Sequence, residues 1–565
     1  MRNACLFAVL FCAGLPAQEV AQSGLELQAP RAMVSQPERA PHAMAATVNE
    51  LATRAGLDVL RRGGNAVDAA VAIGFVLAVV HPEAGNLGGG GYMLVRMADG
   101  RTAAIEYREK APAAARPGMY KAREEAQLGY KASAVPGTVA GLGTAHKLFG
   151  ARSWREVLEP SRLLAQKGFP ATYRMELILA LEAPVMGKFP ESAKIFLHGE
   201  NRALKQGEVF RQPELAATIR RIQRSGWREF YEGRTAALID ADMRANGGTI
   251  TREDLRNYQA VRREALQGTY RGHPILAMPP STSGGMAVLE MLNILENFPV
   301  RLGMEGSSEV RHLQIEAMRR AYRDRGLYAA DPDFAAVPLE TITGKEHAKK
   351  LAEGIRTDRA TANSELGGEG EPPAGDGCES EDTTHFTVID AWGNIVTNTY
   401  TLNSFFGSKV VAKGTGVLLN SIMAAFSSRA GAKNEVGAGK RPVSSMTPLI
   451  VLQPDGKPWF ALGSPGALTI ASTVFQVVMN IVDFKMSLRD ALEYPRIHHQ
   501  YAPDRVDAEP GALVWDVAEK LKGMGHTLNP RLRSQGDVHA IMVEAQSGWR
   551  LGWSDGRRGG RAMGY

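Results

Sequence analysis

The chain has 565 residues, 44% hydrophobic and 22% charged, a globular balance that excludes wholesale disorder. Its 60 glycines follow no triplet period, which excludes a collagen-like rod. The 66 basic and 60 acidic residues leave +6 with no basic tract, so no nucleic-acid surface is expected.

The N-terminus reads MRNACLFAVLFCAGLPAQ: a basic Arg2, a mostly apolar run, then Leu15-Pro16-Ala17. This pattern predicts a signal peptide over residues 1–17 and a periplasmic or secreted protein. Cys5 and Cys12 would leave with it. Cys378 alone would remain, so no intramolecular disulfide is expected. Residues 18–41, with Pro30, Pro37 and Pro41, read as a loosely ordered leader.

The longest later apolar stretch, residues 66–80, is too short for a stable membrane span and predicts a buried helix capped by Asn65. Residues 91–109 predict a hairpin turning at Ala98-Asp99-Gly100. From 138 to 330 helical patterns dominate, as in VRHLQIEAMRRAYRDRG, with basic residues opposite the apolar ones. Residues 362–381 are rich in Gly, Pro and Glu, and predict a flexible segment.

Two β-rich runs follow, THFTVID and NIVTNTYT, separated by Ala391-Trp392-Gly393. A three-residue loop with Gly393 left-handed pairs Asp390 with Asn394. Counting outward along the ladder, Thr383 faces Thr401, which brings two hydroxyls together on one face.

The segments DTTHFTVID (382–390), GNIVTNTYTLNSFFGSKVV (393–411), KRPVSSMTP (440–448) and GSPGA (463–467) resemble the small subunit of γ-glutamyltranspeptidases. Upstream, GGNAVDAAVAIGFVLAVVHPEAGNLGGGGYMLVR, EYREKAP, PGTVAGL and MPPSTSGGMAVLEMLNILENF resemble the large subunit, in the same order. The resemblance implies an α+β fold, a four-layer αββα sandwich of the N-terminal nucleophile hydrolase type. It also implies a precursor that cuts itself at Asp382–Thr383. The products would be a large subunit (18–382, ending in the flexible segment 362–382) and a small subunit (383–565), held together as a heterodimer. No cofactor or metal is implied.

By the same resemblance Thr383 is nucleophile and, through its freed α-amino group, base. Such an amine has a pKa of about 7.7–8.0, near the operating pH. Thr401 orients that terminus. Gly466 and Ala467 offer backbone N–H groups to the oxyanion, with Ala467 standing where the family usually has Gly. Arg108, with Ser444 and Ser445, matches the residues that hold the substrate's α-carboxylate, a task suited to a forked guanidinium. Asn403 matches a neighbouring polar ligand and, two residues beyond Thr401, shares that face if the strand continues.

One departure bears on specificity. Ile422 and Ala425, in LLNSIMAAF, stand where members active on γ-glutamyl donors place ligands for the α-ammonium group. The expectation is therefore a γ-glutamyl amidohydrolase or transferase of the glutathione type. An acylase for glutaryl-like amides lacking the amino group is the alternative, and an inactive binding protein that kept the fold is the reading from another class. The stretch 427–439 is short for a lid, which predicts an exposed site. Gly88 to Gly91 lack a following Lys-Ser/Thr and predict close backbone packing instead of a phosphate loop. His385 is expected to be strand packing beside the nucleophile, and the adjacent His498 and His499 a poor metal pair.

Overall fold

A computed structural model describes residues 36–367, 382–530 and 534–565. The expected signal peptide and Cys378 lie outside these residues. Among the described residues no helix is long and apolar enough to cross a membrane.

Two seven-stranded, wholly antiparallel sheets organise the unit Glu38–Tyr565. The first runs in the order Arg561–Gly564, Met44–Thr47, Thr383–Ile389, Ile395–Thr401, Gly90–Arg96, Thr102–Tyr107, Val261–Arg263. The second runs Glu38–Ala40, Arg550–Ser554, His539–Val543, Pro458–Leu462, Leu449–Leu452, His273–Ala277, Leu266–Tyr270.

Alternation along the strands gives each sheet two apolar faces. Met44, Tyr92, Leu94, Ile389 and Ile395 of the first sheet meet Ile450, Ala461 and Ile541 of the second. On its other face the first sheet presents Met93, Val95, Phe386, Val388 and Tyr400 to a helical layer that includes Glu50–Arg61, Ala66–Val80 and Thr138–Phe149. The outer face of the second sheet, with Ile275, Val451 and Phe460, is covered by Gly284–Leu295, Ser308–Tyr328 and Thr469–Val482. The layer order is αββα, as the resemblance implies.

Helix Ala66–Val80 is buried along its whole length, which is why its sequence is apolar all round. The Asn65 side chain accepts from the N–H groups of Val67 and Asp68, and Asp68 returns the bond to Asn65 N–H, closing a capping box. The buried Asp68 also accepts from the N–H groups of Ala151 and Arg152, so the charge that interrupts the apolar run is satisfied. The hairpin at 91–109 forms as Gly90–Arg96 and Thr102–Tyr107, with Gly100 left-handed at φ +91°.

Three expectations are corrected. The leader does not stay loose to residue 41, because Glu38–Ala40 joins the edge of the second sheet against Arg550–Ser554. Three residues are too few to show a period. The helical region contains three strands between Val261 and Ala277, whose short polar-edged sequences carry little alternation. Most basic residues of helix Ser308–Tyr328 do not face solvent: Arg311, Arg319, Arg320 and Arg325 are all buried, and Arg323 alone is partly exposed. Arg320 shows why this is tolerated, since it donates to the Glu316 carboxylate and to the carbonyls of Leu351 and Gly354.

Candidate active site

The hairpin Thr383–Ile389/Ile395–Thr401 has the predicted register. Thr383 pairs with Thr401 and Ile389 with Ile395, and Gly393 closes the loop at φ +88°. Odd-numbered residues of both strands face the second sheet, so a polar row (Thr383, His385, Thr387, Thr397, Thr399, Thr401) runs along the inner face toward Ile389 and Ile395. His385 sits within it as packing. Its Nδ1 meets Thr399 Oγ1 at 2.8 Å, and its Nε2 meets Thr387 and Thr397 Oγ1 at 3.0 and 3.1 Å. Burial, then the nearby His539, holds this imidazole well below its usual range, so it is neutral.

Thr401 Oγ1 donates to the Asp382 carbonyl oxygen at 2.7 Å. The same hydroxyl oxygen accepts from Thr383 Oγ1 at 3.3 Å and from Asn403 N–H at 2.9 Å. With both approaches donating, its one proton is directed onto the carbonyl. The Asp382 carboxylate accepts from Phe405 N–H at 2.9 Å.

Asn403 reaches this arrangement differently from the expectation. The strand ends at Thr401, and Asn403 takes a left-handed φ of +80° instead of continuing along the same face. Its Nδ2 donates to Ser421 O at 3.2 Å. Close backbone contact accounts for the glycines beside it: a Cβ on Gly89 would lie 2.1 Å from Thr401 O, and one on Gly88 1.9 Å from Leu418 O.

Arg108 follows strand Thr102–Tyr107, whose Tyr107 pairs with Gly91, while the neighbouring Gly90 pairs with Thr401. Across three strand spacings of about 4.8 Å, the Arg108 backbone stands roughly 14 Å from that of Thr383. A long side chain and an extended acyl group can bridge this. The guanidinium is buried, and Nε donates to Pro442 O at 3.2 Å. That contact brings it beside the segment carrying Ser444 and Ser445. Both serines are buried, and Ser445 Oγ accepts from Arg325 at 3.1 Å.

Gly466 and Ala467 lie in a loop fixed by Thr469, whose hydroxyl and N–H both donate to Gly466 O. Among the described residues the N–H groups of Gly466 and Ala467 have no protein partner. Ala467 is left-handed at φ +52°, which costs an L-residue about 1 kcal/mol. Ala467→Gly is therefore expected to raise stability by about 1 kcal/mol with the loop geometry kept, measurable by urea denaturation.

Ile422 and Ala425 pack in an apolar cluster with Ala111, Ala134, Phe426 and Val436, so their side chains serve packing. A groove of about 330 Å³ begins beyond them, lined by Met119, Tyr120, Met423, Phe426 and Ser427.

Two residues escaped the sequence reading. Arg325, inside a helix whose charges look solvated, donates to Ser283 and Ser445. Glu109 lies next to Arg108 in the quoted EYREKAP motif, and only its burial distinguishes it. It is fully buried, 3.6 Å from Arg108 Nη1, and its Oε2 is 2.7 Å from where a Cβ on Gly90 would stand. Neither carboxylate oxygen makes a well-formed hydrogen bond among the described residues. Burial pushes its carboxyl up to about 7 although Arg108 opposes the shift.

The family model described as Gamma-glutamyltranspeptidase matches residues 52–565. A glutathione hydrolase proenzyme of Escherichia coli (strain K12) is 40% identical over 93% of this chain and 92% of its own. An Acylase ACY 1 proenzyme of Pseudomonas sp. (strain SE83) is 36% identical over 89% of this chain and 90% of its own. A cephalosporin acylase structure from Bacillus halodurans superposes with TM-score 0.84 at 27% identity, covering 96% of this chain and 99% of that one. The chain belongs to the γ-glutamyltranspeptidase family.

Proposed function

We propose that this protein is a self-processing amidohydrolase of the glutathione hydrolase type, which forms an acyl-enzyme on Thr383 and passes the acyl group to water or an amine. The observation that carries this reading is the hydroxyl of Thr401, seated between Thr383 Oγ1 and the Asp382 carbonyl.

In the precursor Thr383 Oγ attacks the Asp382 carbonyl carbon, and the Thr401 hydroxyl supports the charge growing on oxygen. The C–N bond breaks, an ester links Asp382 to Thr383 Oγ, and the amine takes a proton. Water then hydrolyses the ester, leaving the Asp382 carboxylate and a free Thr383 with hydroxyl and α-amine. In turnover that amine accepts the hydroxyl proton as Oγ attacks the substrate amide. The N–H groups of Gly466 and Ala467 receive the oxyanion, and the amine returns the proton to the leaving nitrogen. Water or an acceptor amine then releases the acyl group.

For the donor, Arg108 takes the α-carboxylate together with Ser444 and Ser445. With Ile422 and Ala425 committed to packing, Glu109 is the anion available for the α-ammonium group. The second reading, an acylase for glutaryl-type amides, is favoured by those same two apolar residues and by the acylase relatives. Export rests on the sequence of residues 1–17, and the two subunits would be 18–382 and 383–565.

Two measurements test this. Intact mass of the purified protein is expected to show two chains with a new N-terminus at Thr383. An uncut chain that stays inert would favour a binding protein. Turnover of γ-glutamyl anilide is expected to exceed that of glutaryl anilide. The reverse order would give the function to the acylase reading.

A further inference from the structure

Two clusters of imidazole and carboxylate groups lie outside the catalytic machinery, His312–Glu316–His526 and Glu290–Asp324–His347. The first is ill suited to a cation. Its two imidazoles bond each other at 2.8 Å, and Glu316 is already engaged by Arg319 and Arg320, whose charges would repel a metal ion.

The second cluster has one imidazole and two carboxylates, and an arginine engages only one of those carboxylates, that of Asp324. Glu290 comes from helix Gly284–Leu295, Asp324 from Ser308–Tyr328, and His347 from Lys345–Glu353. Glu290 is fully buried, yet among the described residues neither of its carboxylate oxygens makes a well-formed hydrogen bond. An orphaned carboxylate of this kind is costly unless something pairs with it. One of these oxygens belongs to a group of three ligand atoms, with one each from Asp324 and His347, that lie within 4.8 Å of one another. His347 Nε2 is 2.8 Å from Asp324 Oδ2 and 3.7 Å from Glu290 Oε1.

We propose that Glu290, Asp324 and His347 bind one divalent transition-metal ion of the zinc class, which ties three helices of the outer layer together.

Zinc accepts one imidazole nitrogen and two carboxylate oxygens at about 2.0–2.2 Å. Tetrahedral bonds of that length hold ligand atoms roughly 3.3–3.5 Å apart, and the two distances above bracket this span. Two carboxylates and a neutral imidazole sum to two negative charges, which a divalent cation cancels. Arg323 Nη1 holds the other oxygen of Asp324 at 2.7 Å, the kind of outer contact that aims a ligand. Entry is through His347, whose side chain is 25% exposed while Glu290 and Asp324 lie behind it. Without a metal the cluster keeps its protons. Burial pushes the Glu290 carboxyl up to about 8, and its contact with Glu290, then Asp324, lifts His347 to about 9. An ion displaces those protons on binding.

The test is a calorimetric titration of untagged, chelator-stripped full-length protein with zinc chloride, paired with thermal melts. The expected result is one saturable ion per chain and a raised Tm. Glu290→Gln and His347→Gln, each folded by circular dichroism, should bind about tenfold more weakly or worse and lose the Tm gain. Absence of saturable binding, or binding that both variants retain, would overturn the proposal and leave a proton-sharing network at this position.

Discussion

Thr383→Ala is expected to leave a single full-length chain that never matures, with amide turnover lower by on the order of 10⁴-fold or more. The substitution removes the attacking oxygen of both reactions at once, so mass spectrometry and anilide turnover should fail together. Thr383 Oγ1 makes its described side-chain bond to Thr401 Oγ1, and the strand around it is held by ladders on both sides, so the fold should survive. Folded, uncut Thr383→Ala protein with undiminished turnover would end the mechanism proposed for this site.

Glu109→Gln is expected to raise KM for γ-glutamyl anilide roughly 10- to 100-fold, the loss of one charge-assisted hydrogen bond, while glutaryl anilide changes little. An equal effect on both substrates would mark Glu109 as merely structural. The same variant has a stability signature of definite sign. The folded carboxyl titrates near 7, above its ordinary 4.5, so the native state holds the proton more tightly than the unfolded chain. Stability from this group is therefore intact below about pH 4.5 and declines as pH rises through about 7. Glu109→Gln, which never ionises, should melt above the parent at pH 8 and close to it at pH 4.5.

Local chemistry made part of this site legible in the sequence. The loop Ala391-Trp392-Gly393 alone fixed the ladder that sets Thr383 opposite Thr401, because a three-residue turn with a left-handed glycine admits one register. Asn65 and the apolar run after it likewise specified a capped, wholly buried helix. Long-range burial was not legible. Arg325 and Arg108 sit in patterns that elsewhere face water, and the contacts that enclose them include residues more than a hundred positions away, Ser445 for Arg325 and Pro442 for Arg108. Asn403 shows the limit of periodicity: once its φ turned positive, counting by twos no longer gave its direction.

If the chain is cut at Thr383 as proposed, the strand order keeps the two products together. In the first sheet Met44–Thr47 lies between Arg561–Gly564 and Thr383–Ile389, and Gly90–Arg96 follows Ile395–Thr401, so segments from either side of residue 383 are interleaved. The second sheet is likewise framed by Glu38–Ala40 at one edge and His273–Ala277 with Leu266–Tyr270 at the other. After scission the halves could part only by tearing both sheets apart. Dilution should therefore never release free subunits short of denaturation, and the melting midpoint of the nicked molecule should be indifferent to its concentration.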